Sequence, residues 1–352
     1  MTTESRYPFA IDSTRWDVPG QFDTTFRWEY QVGRPGMITL YTKAKKLQWD
    51  ADDRIDWSRD LDPENPMELP DEALSLYGSD VWNRMTKPER ASLRRHQQAW
   101  QISQFLHGEQ GALICTAKIV QQVPHMDAKY YAATQVMDEA RHVEAYSRLL
   151  HDKFALAYPI TPPLKQLLDD VISDSRWDMT YLGMQVLIEG LALAAFQQIR
   201  DQAKNGLAAQ VNAYVMQDEA RHVAFGRLAL RDLYPQLTDK ERDEREEFAV
   251  EACWLMRDRF LAPEVWETLG LPVKECMEHM AGSELMTQFR SALFSRIVPT
   301  IKDIGLWGPR IRKAYAEMGI LGFAEVDVEA LMKDDERVAE SLDTGRRAEA
   351  SR

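Results

Sequence analysis

The hexapeptide Asp-Glu-Ala-Arg-His-Val occurs twice in this 352-residue chain, as Asp138–Val143 and as Asp218–Val223. In each copy a glutamate and a histidine stand three positions apart, Glu139 with His142 and Glu219 with His222. That spacing puts both side chains on one face of a helix. Two further acids sit alone in apolar runs, Glu109 in FLHGEQGALICTAKIV and Glu189 in MQVLIEGLALAAF. Burying an ionised carboxylate without a compensating charge is very costly. The intervals tie these residues together: Glu109 precedes Glu139 by 30 positions, Glu189 precedes Glu219 by 30, and adding 80 maps one set onto the other.

Two antiparallel helices joined by a short turn return to the same height after such an interval. Each hairpin therefore brings its lone glutamate opposite its Glu-x-x-His, and two facing hairpins gather four carboxylates and two imidazoles at a bundle centre. Carboxylates crowded in a dry cavity need protons or cations. Two di- or trivalent ions supply that charge, and mixed oxygen and nitrogen donors suit iron or manganese better than zinc alone. A ligating imidazole donates its other N–H to a carboxylate. Asp138 and Asp218 are the acids available, each for the histidine of the opposite helix, and Arg141 and Arg221 would hold those aspartates ionised. The competing reading is a solvated helix face or a duplication without chemistry. A single Glu-x-x-His is more often surface than site, but the matched offsets of Glu109 and Glu189 weigh against that.

The elements that must position these residues are helical. Thr86 reads as an N-cap with Pro88 and Glu89 in the first turn, opening a helix that runs to about Gln122. A second runs from about Met126 to Phe154, a third from about Asp178 to Lys204, and a fourth from after Asn205-Gly206 to about Leu233. Further helical patterns cover Asp239–Phe260, Glu284–Ile304 and Pro309–Glu317, and nothing alternates like a strand. The expected fold is all-α, a four-helix bundle with additional packed helices. Residues 1–85 hold Trp16, Trp28, Trp49, Trp57 and Trp82 and read as an arm laid on a body of residues 86–330 by aromatic anchors. Residues 331–352 read as a charged, disordered tail.

Composition narrows the function. With 45% hydrophobic and 10% aromatic residues the chain is globular, and a net charge of −13 excludes a nucleic-acid footprint. No run of 18 apolar residues and no signal pattern appear, so no membrane span and a cytoplasmic location are expected. Cys115, Cys253 and Cys276 have no CxxC spacing, which speaks against disulfides and thiolate metal sites. The chain has no dinucleotide-binding glycine motif, flavin signature or iron–sulfur pattern, so electrons must come from a separate reductase or ferredoxin.

The pattern E…ExxH…E…ExxH over residues 88–232 resembles the ferritin-like carboxylate-bridged dimetal proteins. GEQGALICTAKIV followed by MDEARH is similar to the hydroxylase large subunit of bacterial multicomponent monooxygenases. The resemblance implies Glu109, Glu139 and His142 on one iron and Glu189, Glu219 and His222 on the other, with dioxygen activation and oxidation of a small organic substrate. It leaves open hydroxylation or N-oxygenation, and Fe/Fe or Mn/Fe. A homodimer is the default expectation. Three positions compare the branches. The monooxygenases carry a threonine where this chain has Leu193. Arylamine N-oxygenases carry an extra histidine where it has Val215. The ribonucleotide reductase small subunit has a radical-storing tyrosine where it has Tyr146, and that branch is the alternative: a metal oxidase forming a tyrosyl radical or oxidising a bound ligand. A packed tyrosine with a bonded hydroxyl is the commoner use of such a residue.

Apolar residues one turn from the ligands, Leu113, Val136, Val143, Val186, Leu193 and Val215, would line a substrate pocket, although core residues look the same. Gly108, Gly111, Gly190 and Ala192 either allow close helix contacts or leave room for substrate. His96, His107, His125, His151 and His279 have no spacing relation to the set and read as structural or exposed.

Overall fold

The computed structural model describes residues 22–26, 33–335 and 337–338; Trp16, Trp28 and most of the charged tail lie outside them. The described residues form helices and no strand. Those that bear on the site are α1 (Pro35–Lys46), α2 (Lys87–Gln122), α3 (Met126–Arg148), α4 (Pro162–Ser173), α5 (Trp177–Gln202), α6 (Gly206–Leu233) and α7 (Asp239–Asp258).

Local chemistry sets the ends. The backbone N–H of Thr86 donates to Glu89 Oε2 at 2.7 Å, half of the capping box that starts α2. Asn205 accepts from the Leu207 and Ala208 amides at 2.9 and 3.3 Å, opening α6. The same box recurs with Thr238 and Glu241 at α7. The second and third long helices are less regular than their periodicity suggests. A π-helical turn, Leu149–Phe154, ends α3, and another, Leu182–Ile188, lies inside α5 immediately before Glu189. Such turns insert a residue into the helical ladder and recur at functional sites. The expected helix Glu284–Ile304 is two helices, Glu284–Ala292 and Ile297–Asp303. Pro299 accounts for the break: inside a continuous helix its ring would clash one turn back, whereas in a first turn no amide donor is needed.

The bundle consists of the α2–α3 and α5–α6 hairpins, with α4 and α7 packed on the outside. Helix α4 comes so close that a Cβ at Gly111 or Gly183 would collide with Leu168 or Val171. Helix α5 is long and apolar enough to cross a membrane by length and composition, but 94% of its most apolar window is buried inside the fold. It is the central core helix.

The N-terminal arm lies across α3 and α6. Met37, Leu40 and Ala44 of α1 face inward, and each larger apolar side chain buried this way stabilises docking by roughly 2 kcal/mol. Arg34 clasps Asp127 with its backbone amide (2.7 Å), Nε (2.9 Å) and Nη2 (3.0 Å). Trp57 stacks under Arg148 with 4.3 Å from guanidinium carbon to ring centre, and Trp82 is buried under Arg90 at 4.6 Å.

Candidate metal centre

The four glutamates and two histidines come from α2, α3, α5 and α6, and all six are at most 5% exposed. Glu109, Glu139, His142 and Glu219 offer ligand atoms that all lie within 4.8 Å of one another, and Glu139, Glu189 and His222 do the same. Two of the acids are central. Glu139 approaches His142 Nδ1 at 3.5 Å and His222 Nδ1 at 3.1 Å. Glu219 approaches the same two nitrogens at 3.2 and 3.4 Å. Glu109 lies 3.1 Å from His142 Nδ1, and Glu189 stands on the His222 side. The rings are 5.9 Å apart between centres.

Each imidazole turns its Nδ1 to the carboxylates and its Nε2 to an aspartate of the other hairpin. His142 Nε2 is 3.1 Å from Asp218 Oδ2, and His222 Nε2 is 3.3 Å from Asp138 Oδ2. If Nε2 carries the proton, Nδ1 is left with a lone pair aimed into the cluster. Arg141 Nη2 donates to Asp138 at 2.6 Å and to Asp218 at 2.8 Å, tying the two hairpins together, and Arg221 pairs with Asp218.

Without metal the cluster is a crowd of like charges. Burial and the neighbouring Glu219 push the Glu109 and Glu189 carboxyls well up. Burial opposes protonation of the imidazoles, but Glu109 outweighs it at His142, and Glu139 with Glu219 outweighs it at His222, so both are raised well above the usual range. Burial would raise Glu139 and Asp218 as well, yet His222 holds Glu139 low and Arg221 with His142 holds Asp218 low. Glu219 Oε1 and Oε2, Glu139 Oε2, Glu189 Oε2 and His222 Nδ1 are sealed from solvent with no hydrogen-bond partner. Buried polar atoms are rarely left this way. Five converging on one spot, with carboxylate and imidazole chemistry, fit a pair of iron or manganese ions.

Several residues at the centre carry no spacing signal. Gln48 Nε2, from the arm, donates to Asp138 at 2.7 Å and its Oε1 accepts from Arg141 at 2.8 Å. The Trp49 indole donates to Asp218 Oδ2 at 2.8 Å and lies against Arg141, 4.6 Å away. Gln135 donates to both Glu139 and Glu189 at 2.9 Å. It sits one turn before Glu139, so an amide at i−4 on the ligand face was the available clue. Tyr146 is fully buried, and its hydroxyl donates to Asn212 Oδ1 at 3.1 Å. His107 Nε2 bonds the Tyr158 carbonyl at 2.9 Å and His96 Nδ1 the Tyr158 hydroxyl at 2.7 Å, both away from the cluster.

A cavity of about 30 Å³ touches Glu109, Glu189 and Glu219. Its walls are Phe105, Gly108 and Ala112 of α2, Leu164 of α4, and Met184, Ala192 and Phe196 of α5. A Cβ at Gly108 would meet nothing within 4 Å, so this glycine leaves open space beside the acids, whereas Gly190 is a close contact with Ile297. None of Leu113, Val143, Leu193 and Val215 lines this cavity, nor do Val136 and Val186. The cavity wall follows Gly108 and Ala192 instead. Leu193, one residue round the helix, borders a separate hollow with Arg296 and Thr300. Leu113 and Val143 are half-buried, and Val186 and Val215 are ordinary core.

Among solved structures, two variants of an R2-like ligand-binding oxidase with anaerobically reconstituted Mn/Fe cofactor are similar. Each is 17% identical over 80% of this chain; the matches cover 96% and 95% of those chains, with TM-scores of 0.46 and 0.45. No curated protein matches. Residues 37–305, from the arm helix through the whole bundle, match the family described as P-aminobenzoate N-oxygenase AurF. The histidine expected of arylamine N-oxygenases at the Val215 position is absent, so the match rests on the rest of the pattern. The chain belongs to the P-aminobenzoate N-oxygenase AurF family, and it is a ferritin-like, dioxygen-dependent diiron oxygenase.

Proposed function

We propose that Glu109, Glu139, His142, Glu189, Glu219 and His222 would hold the two iron ions, and that the enzyme oxidises the nitrogen of a small amine. The observation that carries this reading is the set of sealed, unpartnered carboxylate and imidazole atoms facing one another across the two hairpins. Two iron ions held there supply the redox chemistry that activates dioxygen. Asp138 and Asp218 fix the imidazole tautomers, Arg141 and Arg221 pair with those aspartates, and Gln135 orients Glu139 and Glu189. The apolar walls around Phe105, Met184 and Phe196 exclude water and bring the substrate against the acids. Nitrogen rather than carbon oxidation is favoured by the family description. The same donors accept manganese at one position.

Tyr146 takes a structural role in this reading, because its hydroxyl is engaged by Asn212 rather than by a carboxylate. Electrons come from a separate reductase or ferredoxin, and the working unit is a cytoplasmic homodimer. The test is direct. Protein loaded with ferrous iron should hold two ions per chain and, given labelled dioxygen and p-aminobenzoate or other arylamines, place label on nitrogen. Label on carbon would overturn the N-oxygenation assignment, and a chain binding no iron would overturn the ligand assignment.

A further inference from the structure

Arg259 lines the cavity that touches Glu109, Glu189 and Glu219, and it is only 8% exposed. Other buried arginines have carboxylate partners: Arg141 and Arg221 with Asp218, Arg227 with Asp303, Arg245 with Asp178, and Arg296 with Asp335. Arg259 makes no hydrogen bond or ion pair among the described residues, and its Nε is sealed without a partner. Burial alone pulls its pKa down to about 10, so the guanidinium remains charged at neutral pH. The contact it does make is with the ring of Phe260, 5.2 Å away. A buried, unpaired charge is strongly destabilising, and such a group in a cleft points to a ligand.

Its placement suits that use. Arg259 begins a single tight turn, Arg259–Leu261, after α7, and Ala262 then takes a left-handed conformation (φ 46°) that reverses the chain into the next helix. Arg259 thus reaches the cavity lining from an element outside the four-helix bundle, separate from those that carry the glutamates. The same cavity is lined by the apolar side chains of Phe105, Leu164, Met184 and Phe196. A cavity that combines a cation, apolar walls and the metal-binding acids suits an organic anion. At about 30 Å³ the space holds only a water or two, so the flexible Met184 and Leu164 must swing aside as substrate enters.

We propose that Arg259 is a specificity-determining residue that binds a carboxylate on the substrate, so that the opposite end of the molecule is presented to the iron centre. The inference rests on the reading of this cavity as the substrate pocket of the diiron site. Charge-assisted, bidentate pairing of this kind is worth roughly tenfold to hundredfold in affinity.

The test uses the full-length, iron-loaded protein with benzoate and its neutral isostere benzamide as probes, titrated calorimetrically. The unsubstituted protein should bind benzoate roughly tenfold or more tightly than benzamide. Arg259→Leu should abolish that preference while retaining iron, and Arg259→Lys should keep part of it. Equal binding of the two probes by the unsubstituted protein, or an undiminished preference in Arg259→Leu, would overturn the proposal. So would loss of iron in Arg259→Leu, which would make the residue structural. Should Arg259→Leu not fold, Arg259→Lys decides: a weakened preference supports the proposal and an unchanged one sinks it. Iron content is measured separately. A chain that binds benzoate but no iron therefore refutes the metal assignment and leaves the anion site standing, and the converse refutes only the anion site.

Discussion

At the scale of single residues, the four glutamates that would serve metal binding oppose one another in its absence. Neutralising one should relieve the metal-free fold while weakening metal uptake, the usual exchange of stability against function. Glu189→Gln is expected to raise the melting temperature of the metal-free protein by about 1–2 °C, the shift that ~1 kcal/mol gives in a chain of this size. It should also cut bound iron to one ion or fewer per chain, checked by calorimetry and metal analysis. The histidines set the pH dependence. Both are raised above their ordinary values without metal. Their contribution to metal-free stability is therefore full below about pH 6.5 and fades as pH rises through the raised folded values. Metal needs the neutral ring. Iron affinity should accordingly climb with pH from 6 to 8, with protons released into weakly buffered solution; a pH-independent affinity would contradict the assignment of His142 and His222. Tyr146→Phe removes one neutral hydrogen bond, about 1 kcal/mol. Turnover within twofold of the parent is expected, and a loss of tenfold or more would make the tyrosine a redox participant.

At the scale of elements, the arm contributes more to the centre than its sequence advertises. Trp49 and Gln48 supply donors to the two aspartates that orient the histidines. Trp49→Phe keeps the packing but leaves part of a buried carboxylate unsatisfied, at about 1–3 kcal/mol. Iron should be held roughly tenfold to hundredfold more weakly, measurable by competition with a chelator, with helicity unchanged by circular dichroism. The four long helices and the Thr86 cap were legible because capping residues and 3.6-residue periodicity are local signals. So was the convergence of Glu109, Glu139, Glu189 and Glu219, because two equal intervals can be read by counting. Gln48 and Trp49 were not, since contacts across about 90 to 170 residues leave no periodic trace. The π-helical turn before Glu189 was equally hidden. Pro299 was visible, and reading it as a breaker would have split Glu284–Ile304 correctly.

For the whole molecule, the fold is two helical hairpins braced by an arm, with helices beyond residue 238 closing one side. The turn after α7 that carries Arg259 belongs to this outer layer. The part of the chain that builds the bundle and the part that brings Arg259 to the cavity lining are thus separate in sequence. The 80-residue translation that superposes the two ligand sets does not superpose their surroundings. It carries Gln135, which bonds Glu139 and Glu189, onto Val215, and Tyr146 onto Gly226. An amide thereby ties Glu139 to Glu189 on the His222 side, and the translation puts a valine, which can donate nothing, at the matching position of the other half. Two cations sharing this cage cannot be equivalent. They should fill in a fixed order with separable affinities, a sequence that stepwise titration would read as two inflections rather than one.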